Sequence, residues 1–246
     1  MEKPYLCQQQ KIFKMNGIIL TSKQALELLF LGDSELWSIV VLSFSVSMKA
    51  ILISSPFAML LALALNYGNL PGKKIIVTIF NSLLSVPTVV IGLFLYVALT
   101  RNGPFGNLEL LFTQSAMVIG QIVLCFPIIV ALGFSAIKST DKRLWETSST
   151  LGVPVWYTIL TVFYEARYGL FAAVITAFGR IISEVGISMM VGGNIMGYTR
   201  NITTAIALET SKGEFAQGIA LGIVLVLFSF LLTAVLSYIQ GKKEFI

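Results

Sequence analysis

Two oppositely charged residues, Arg180 and Glu184, stand four positions apart in an otherwise apolar run. In a helix this spacing places both side chains on one face, where they can form an ion pair. A charge inside a membrane-length apolar segment is costly unless it is paired or faces a polar cavity. The pair is therefore either a structural contact or part of a gate or substrate path. Lys49 lies in another apolar run. Its side chain is either structural, reaching the membrane surface or facing the helix bundle, or it contacts the substrate.

The sequence contains no pattern that would make the chain an enzyme by itself. It has no histidine, which removes the usual general base and the commonest metal ligand. Cys7 and Cys125 lie far apart, and Cys125 is within an apolar run, so neither a disulfide nor a metal framework is predicted. Walker-type glycine loops, zinc spacings and nucleophile elbows are absent from the sequence. We therefore predict no catalytic residue, no bound metal and no cofactor.

The composition predicts an all-α membrane protein. The chain has 246 residues, of which 56% are hydrophobic and only 12% are charged, and its mean hydropathy is +0.86. Soluble domains carry about twice that share of charged residues. The net charge of +5 is better explained by cytoplasmic loops of a membrane protein than by nucleic-acid binding.

Several nearly uncharged runs reach the roughly 20 residues that cross a hydrocarbon core. We predict an extracytoplasmic tail over 1–34 without a cleavable signal peptide, containing an interfacial amphipathic helix near 22–31. A transmembrane domain follows over 35–240, then a cytoplasmic tail over 241–246. Neither an inverted repeat nor a matching pair of interrupted spans is evident. The five predicted spans are 36–65, 75–99, 113–137, 168–190 and 215–239.

The distribution of Lys and Arg predicts the orientation. Most of them fall in the loops after spans 1 and 3 and after the last span, which we therefore place in the cytoplasm, with the N-terminus outside. The lysines of the N-terminal tail weaken this asymmetry. On the outer side, Asn201-Ile-Thr203 fits the N-glycosylation pattern, which has little specificity.

A polar segment, Lys138–Arg167, separates two apolar runs and is too structured for a simple connection. Ser139 or Thr140 can cap a short amphipathic helix. Gly152 tolerates the left-handed conformation after a helix, and Pro154 can open the next one. This pattern of helix, turn and helix predicts a docking surface on the cytoplasmic side.

Glu146 is followed by Gly152 and then by Ile159-Leu160. This order resembles the coupling-loop signature of ABC importer permeases. The sequence departs from that signature in having Thr147-Ser148 for its two alanines and Phe163-Tyr164 where Leu-Pro is usual. Other motifs resemble the tungstate branch of the molybdate/tungstate permeases. The resemblance covers roughly 33–240 and is densest over 140–225. These motifs are Glu165–Gly169, Phe178–Gly186, Met189–Asn194, Tyr198–Thr204 and Ala207–Glu214.

The resemblance implies a type I ABC importer permease fold that works as a homodimer in the cytoplasmic membrane of a bacterium or archaeon. An ATPase dimer, which carries ATP and Mg, would bind the cytoplasmic face, and an extracytoplasmic tungstate-binding protein would bind the other. Tungstate would be the substrate. The layout of five spans with the N-terminus outside also matches this branch, whereas molybdate permeases typically carry an extra first span.

Three sets of site residues follow from this implied mechanism. The substrate is a tetrahedral dianion that polar, weakly binding surfaces would pass along, although small polar residues also pack helices together. Contact with the ATPase is expected from Asp141, Leu144, Trp145, Glu146, Thr147 and Gly152. The translocation path is expected to include Asn81, Ser85, Thr88, Arg180, Ser183, Glu184 and Ser188. Docking of the binding protein is expected at Gly192, Gly193, Asn194 and Arg200, where the turn could equally cap the fourth span.

Alternative functions remain open from the sequence. The same machine could carry molybdate, sulfate or another tetrahedral oxyanion, since the binding protein does most of the selection. A secondary transporter would need no ATPase and would be expected to show internal repeats and broken helices. A membrane scaffold without transport activity would stimulate no ATP hydrolysis.

Overall fold

The computed structural model describes Glu27 and residues 33–68, 71–140 and 143–241. In this part of the chain it contains α-helices, one short 3₁₀ turn (Gly106–Leu108) and no strand, as predicted for an all-α protein. The predicted interfacial helix lies, apart from Glu27, outside the described residues. The helices are α1 (Ser34–Tyr67), α2 (Lys73–Leu83), α3 (Thr88–Leu99), α4 (Gln114–Lys138), α5 (Arg143–Thr150), α6 (Val155–Ile182), α7 (Gly186–Gly192), α8 (Ile202–Lys212) and α9 (Phe215–Gly241).

Four of the described helices, α1, α4, α6 and α9, are long and apolar enough to cross a bilayer. Helices α2 and α3 meet at an angle of 99°, and together they are also long and apolar enough. The total is five, as predicted, when this bent pair is counted as one span. The short helices α5, α7 and α8 connect or extend these spans.

Local sequence explains where the long helices begin. The Asp33 carboxylate accepts a hydrogen bond from the N–H of Glu35 at 2.9 Å and caps α1. The Thr113 hydroxyl accepts from the N–H of Ala116 and caps α4. Pro154 precedes α6, as predicted, and needs no N–H partner at a helix start.

The second span is broken, whereas a continuous helix over 75–99 was expected. Pro87 has no N–H to donate into a helix and disfavours helical backbone at Val86. Helix α2 therefore ends at Leu83 and α3 begins at Thr88. We refer to residues 84–87 as the first break.

The fourth span also differs from the prediction of 168–190. Helix α6 starts thirteen residues earlier, directly after Pro154, and ends at Ile182. Residues 183–185, the second break, separate it from α7. The second and fourth spans are therefore each interrupted once, and the sequence analysis predicted neither interruption. The region after the fourth span, expected to be a polar connection over 191–213, contains α8.

The core forms where α1, α4 and α6 pack together. Small residues on α1, such as Ala50 and Ala58, let α4 approach closely. In the N-terminal half of α1, the ring of Phe44 lies edge-on to that of Phe228, with 4.3 Å between centroids. This contact joins α9 to α1. Helices α3 and α7 pack beside α4.

Candidate functional site

The two helix breaks lie next to each other. A Cβ atom added to Gly186 would stand only 3.0 Å from Cγ2 of Val89, so the start of α7 touches the first turn of α3. One turn further along α3, a Cβ atom on Gly92 would stand 3.2 Å from Cα of Ile187. Glycine at these two positions therefore lets the backbones meet. Non-helical backbone at membrane depth is tolerated only inside protein or along a water-filled cavity.

The predicted ion pair exists, and it lies at the second break. Nη1 of Arg180 is 2.7 Å from Oε2 of Glu184, and Oε1 of Glu184 accepts from the N–H of Gly186 at 2.8 Å. Glu184 lies beyond the end of α6, so one carboxylate joins α6 to α7. The Glu184 side chain is buried, while that of Arg180 is 46% exposed. The pair therefore presents a cation, rather than an anion, at the protomer surface.

A buried polar network holds the second break against α8. The Thr203 hydroxyl donates to the carbonyl oxygen of Glu184 at 2.9 Å and lies 3.0 Å from Oδ1 of Asn201. Asn201 caps α8 by accepting from the N–H of Thr204. Because Asn201 is buried and used in this cap, it does not present an accessible glycosylation site, contrary to the sequence pattern.

The residues predicted to line the path fall into two groups. Asn81, Ser85 and Ser183 are exposed around the breaks, and Thr88 is half-buried at the start of α3. Ser188, by contrast, is only 1% exposed on α7 and its hydroxyl has no hydrogen-bond partner among the described residues. Of these residues, Thr88 and Ser183 lie at the two adjoining breaks, with the half-exposed Arg180 three residues before Ser183.

Thr203→Val tests the network behind the break. The substitution keeps the shape and leaves the Glu184 carbonyl without its donor, which we expect to cost about 1–3 kcal/mol of stability. Thermal denaturation of the purified permease should show a lower Tm than wild type. Thr233→Val is the matched control, because that exposed hydroxyl bonds only within its own helix, to the Ser229 carbonyl. Equal Tm values for the two variants would contradict a role for Thr203.

The second candidate region is the polar segment around α5. Gly152 has φ +67° and follows α5 in the left-handed conformation, as predicted. The N–H of Val153 donates to the carbonyl of Ser148 at 3.0 Å, which is the long bond of a Schellman turn. Of the predicted contacts, Asp141 lies outside the described residues, and only the backbone of Leu144, Trp145 and Glu146 is described. Thr147 is exposed.

Apolar side chains surround this turn, and the sequence prediction did not include them. Leu151 is 74% exposed. On the first turn of α6, Trp156 is 55% exposed and Tyr157 is 50% exposed. An exposed apolar cluster rimmed by polar residues is typical of a protein interaction site. The available signal was the pair of aromatic residues directly after Pro154.

At the other end of the molecule, the predicted docking residues form the end of α7 and the loop after it. Gly193 is in the left-handed conformation, and its N–H donates to the carbonyl of Met189, which caps α7. Gly192 is buried, whereas Arg200 is partly buried and lies 3.6 Å from Glu35. Between them, Met196 is among the most exposed apolar residues of the loop. The predicted docking residues therefore belong to a loop that both caps α7 and has an exposed apolar side chain.

Comparison with known sequences gives one family. The family described as "Binding-protein-dependent transport system inner membrane component" matches residues 54–244. The tungstate uptake system permease protein TupB of Campylobacter jejuni is 42% identical over 85% of this chain and 88% of the relative. TupB of Peptoclostridium acidaminophilum is 38% identical over 89% and 96%. The molybdenum transport system permease protein ModB of Escherichia coli K12 is 29% identical over 87% and 99%.

Solved structures share the fold at low sequence identity. The chain matches one in a bacterial alginate ABC transporter crystallised with an alginate-bound periplasmic protein, with a TM-score of 0.71, 15% identity, and 98% and 96% of the two chains covered. A chain in the inward-facing MetNI methionine ABC transporter matches with a TM-score of 0.61, 16% identity, and 87% and 97% covered.

Proposed function

The chain belongs to the family of binding-protein-dependent transport system inner membrane components, and from this premise we propose that it is the tungstate-conducting subunit of an ABC importer. The chain is a membrane permease of an ABC importer and not an enzyme. The observation that carries the proposal is the pair of adjoining helix breaks, with the half-exposed Arg180 beside them.

The choice of cargo rests on the relatives together with the chemistry of the breaks. The two relatives named for tungstate uptake are 38% and 42% identical to this chain, whereas the ModB relative named for molybdenum transport is 29% identical. A single guanidinium beside exposed hydroxyl groups supports passage of a tetrahedral dianion. Glu184 occupies one edge of that guanidinium, so it limits how tightly an anion can be held. Molybdate is the second candidate, because it has the same shape and charge.

The segment around α5 is the proposed contact with the ATPase. In the orientation predicted from the distribution of Lys and Arg, α5 and Gly152 are cytoplasmic, and the loop after α7 is extracytoplasmic. Helix α6 starts three residues after Gly152 and ends at the second break. A displacement of α5 by the ATPase would therefore reach the ion pair along one continuous helix. ATP biases the pore only if the ATPase dimer binds one state of the permease better than the other.

A second copy of the chain is the proposed partner within the membrane. Lys49 lies near the middle of α1 and is exposed on the single protomer. A lysine at the bilayer centre costs about 2.5–3.5 kcal/mol on insertion scales. A water-filled path between two copies would relieve this cost and would add a second cation along the route of the anion.

On the outer face, we place the binding protein against the loop that contains Gly193, Asn194 and the exposed Met196. This loop connects α7 to α8, and the Thr203 hydroxyl joins α8 to the second break. Docking there would act on the same ion pair from the opposite side of the membrane.

The deciding experiment measures ATP hydrolysis by the permease–ATPase complex in proteoliposomes with its binding protein. We expect the tungstate-loaded binding protein to stimulate hydrolysis at the lowest concentration, followed by molybdate and then sulfate. Equal stimulation by tungstate and molybdate would widen the cargo to both oxyanions. A complex that assembles but responds to none of the three would overturn the proposed cargo.

A further inference from the structure

An apolar groove runs along the outside of the protomer between α1 and α6. Its volume is about 380 Å³. It lies beside Pro56, where the ring removes a hydrogen-bond donor from α1. Among the described residues that line it, Arg167 alone is charged. The other lining residues, all apolar, are Pro56, Met59, Leu60, Phe163, Leu170 and Phe171.

Arg167 lies at the level where α4 ends, on the α5 side of the molecule. Two residues further along α6, a Cβ atom on Gly169 would stand 2.7 Å from Cβ of Ala136, near the end of α4. That helix ends at Lys138, so Arg167 and Lys138 mark a common height at which the apolar part of the bundle stops. Tyr164 and Tyr168 lie at the same height, as aromatic residues do at membrane interfaces.

The guanidinium of Arg167 is held in place but not neutralised. Its Cζ lies 4.1 Å from the ring centroid of Tyr164 and 4.4 Å from that of Tyr168. One nitrogen donates to the Tyr164 carbonyl and another to the Tyr168 hydroxyl. Among the described residues, no carboxylate lies within ion-pair distance of it. An arginine has five N–H donors, so several remain available for an anion.

This groove is separate from the path of the substrate. Arg167 and Arg180 are thirteen residues apart on α6, which at 3.6 residues per turn places them about 140° apart around the helix. Arg167 therefore points well away from the ion pair and the helix breaks.

We propose that the groove between α1 and α6 binds an anionic phospholipid, with the headgroup phosphate on Arg167 and an acyl chain along the apolar lining. Basic pockets between transmembrane helices are known to hold such headgroups, and an acyl chain adds burial of apolar surface. A zwitterionic lipid would bring its own cation to a site that already holds one. The cytoplasmic position of the groove rests on the orientation proposed above, whereas the lipid contact does not.

Native mass spectrometry of the permease–ATPase complex tests this site, with phosphatidylglycerol and phosphatidylcholine of identical acyl chains as probes. We expect Arg167→Gln to weaken phosphatidylglycerol binding by about fivefold or more, the factor that corresponds to one arginine at an anionic surface. Arg101→Gln is the charge-matched control, because Arg101 is exposed in the loop after α3, and it should leave binding unchanged. Leu60→Trp, which fills the groove and keeps Arg167, should weaken phosphatidylglycerol binding as well.

Four outcomes would overturn the proposal. The first is equal binding of the two lipids to the wild type, and the second is equal loss of binding in Arg167→Gln and Arg101→Gln. The third is displacement of phosphatidylglycerol by soluble glycerol phosphate, which would assign the site to a free phosphate compound. The fourth is efficient self-cross-linking of Phe171→Cys, which would show that a second copy covers the groove. Tungstate uptake measured on the same variants keeps this result separate from the proposed transport function.

Discussion

Gly152→Val is expected to lower tungstate uptake at least about tenfold, while the permease still inserts and assembles with its ATPase. Gly152 has φ +67°, and a Cβ atom there would meet nothing within 4 Å. The substitution therefore causes no clash, but the left-handed conformation costs an L-residue roughly 1–2 kcal/mol. We expect the Schellman turn after α5 to open and the contact with the ATPase to lose its fixed angle to α6. ATP hydrolysis should then continue without stimulation by the loaded binding protein.

Gly213→Val is the matched control for this prediction. Gly213 also has positive φ, +83°, with no atom within 4 Å of an added Cβ, but it ends α8 on the opposite side of the molecule. Both variants introduce the same residue under the same backbone strain. If Gly213→Val abolished stimulation to the same extent, the effect would be one of general stability. Normal uptake by Gly152→Val, measured in an assembled complex, would show that the turn does not transmit motion.

The parts of the fold that depend on local sequence were predictable. Apolar runs of membrane length gave the five spans, and Gly152 and Pro154 gave the turn and the next helix start. Both signals are local. The length of an apolar run is enough to predict a membrane span, and a glycine after a helix is enough to predict left-handed backbone there. The ion pair between Arg180 and Glu184 was predictable for the same reason, from a spacing of four.

The breaks were not predictable because neighbouring helices determine them. Pro87 indicated an irregularity, but the 99° angle depends on how α3 packs against α7 through Gly92 and Gly186. The second break has no proline. It persists because the Glu184 carboxylate accepts from the N–H of Gly186 at the start of α7, and Thr203, nineteen residues later, donates to the Glu184 carbonyl. Long-range hydrogen bonds of this kind leave no periodic pattern in the sequence.

Arg180→Gln is expected to lower the rate of tungstate uptake about tenfold or more, the effect of removing one charge-assisted contact from the route of a dianion. The substitution removes the cation that the breaks present at the protomer surface. Among the described residues, it also leaves the Glu184 carboxylate with the Gly186 N–H as its one partner, and this charge, no longer balanced by a cation, repels the anion. Uptake into proteoliposomes that contain ATP, quantified by elemental mass spectrometry of tungsten, measures the rate.

The double variant Arg180→Gln/Glu184→Gln separates electrostatics from structure. Glutamine at 184 can still accept from the Gly186 N–H, so the cap of α7 is kept while the negative charge is removed. If Arg180 acts by its charge, the double variant should transport faster than Arg180→Gln alone, because the repulsion is gone. Glu184→Gln alone frees the guanidinium to hold the anion more tightly, and uptake should then saturate at lower tungstate concentration with a lower maximum rate. A double variant no faster than Arg180→Gln, with the same Tm as wild type, would assign the pair a purely structural role. The energetic coupling between the two positions is thus the quantity that decides whether the second break holds the anion or only shapes the helix.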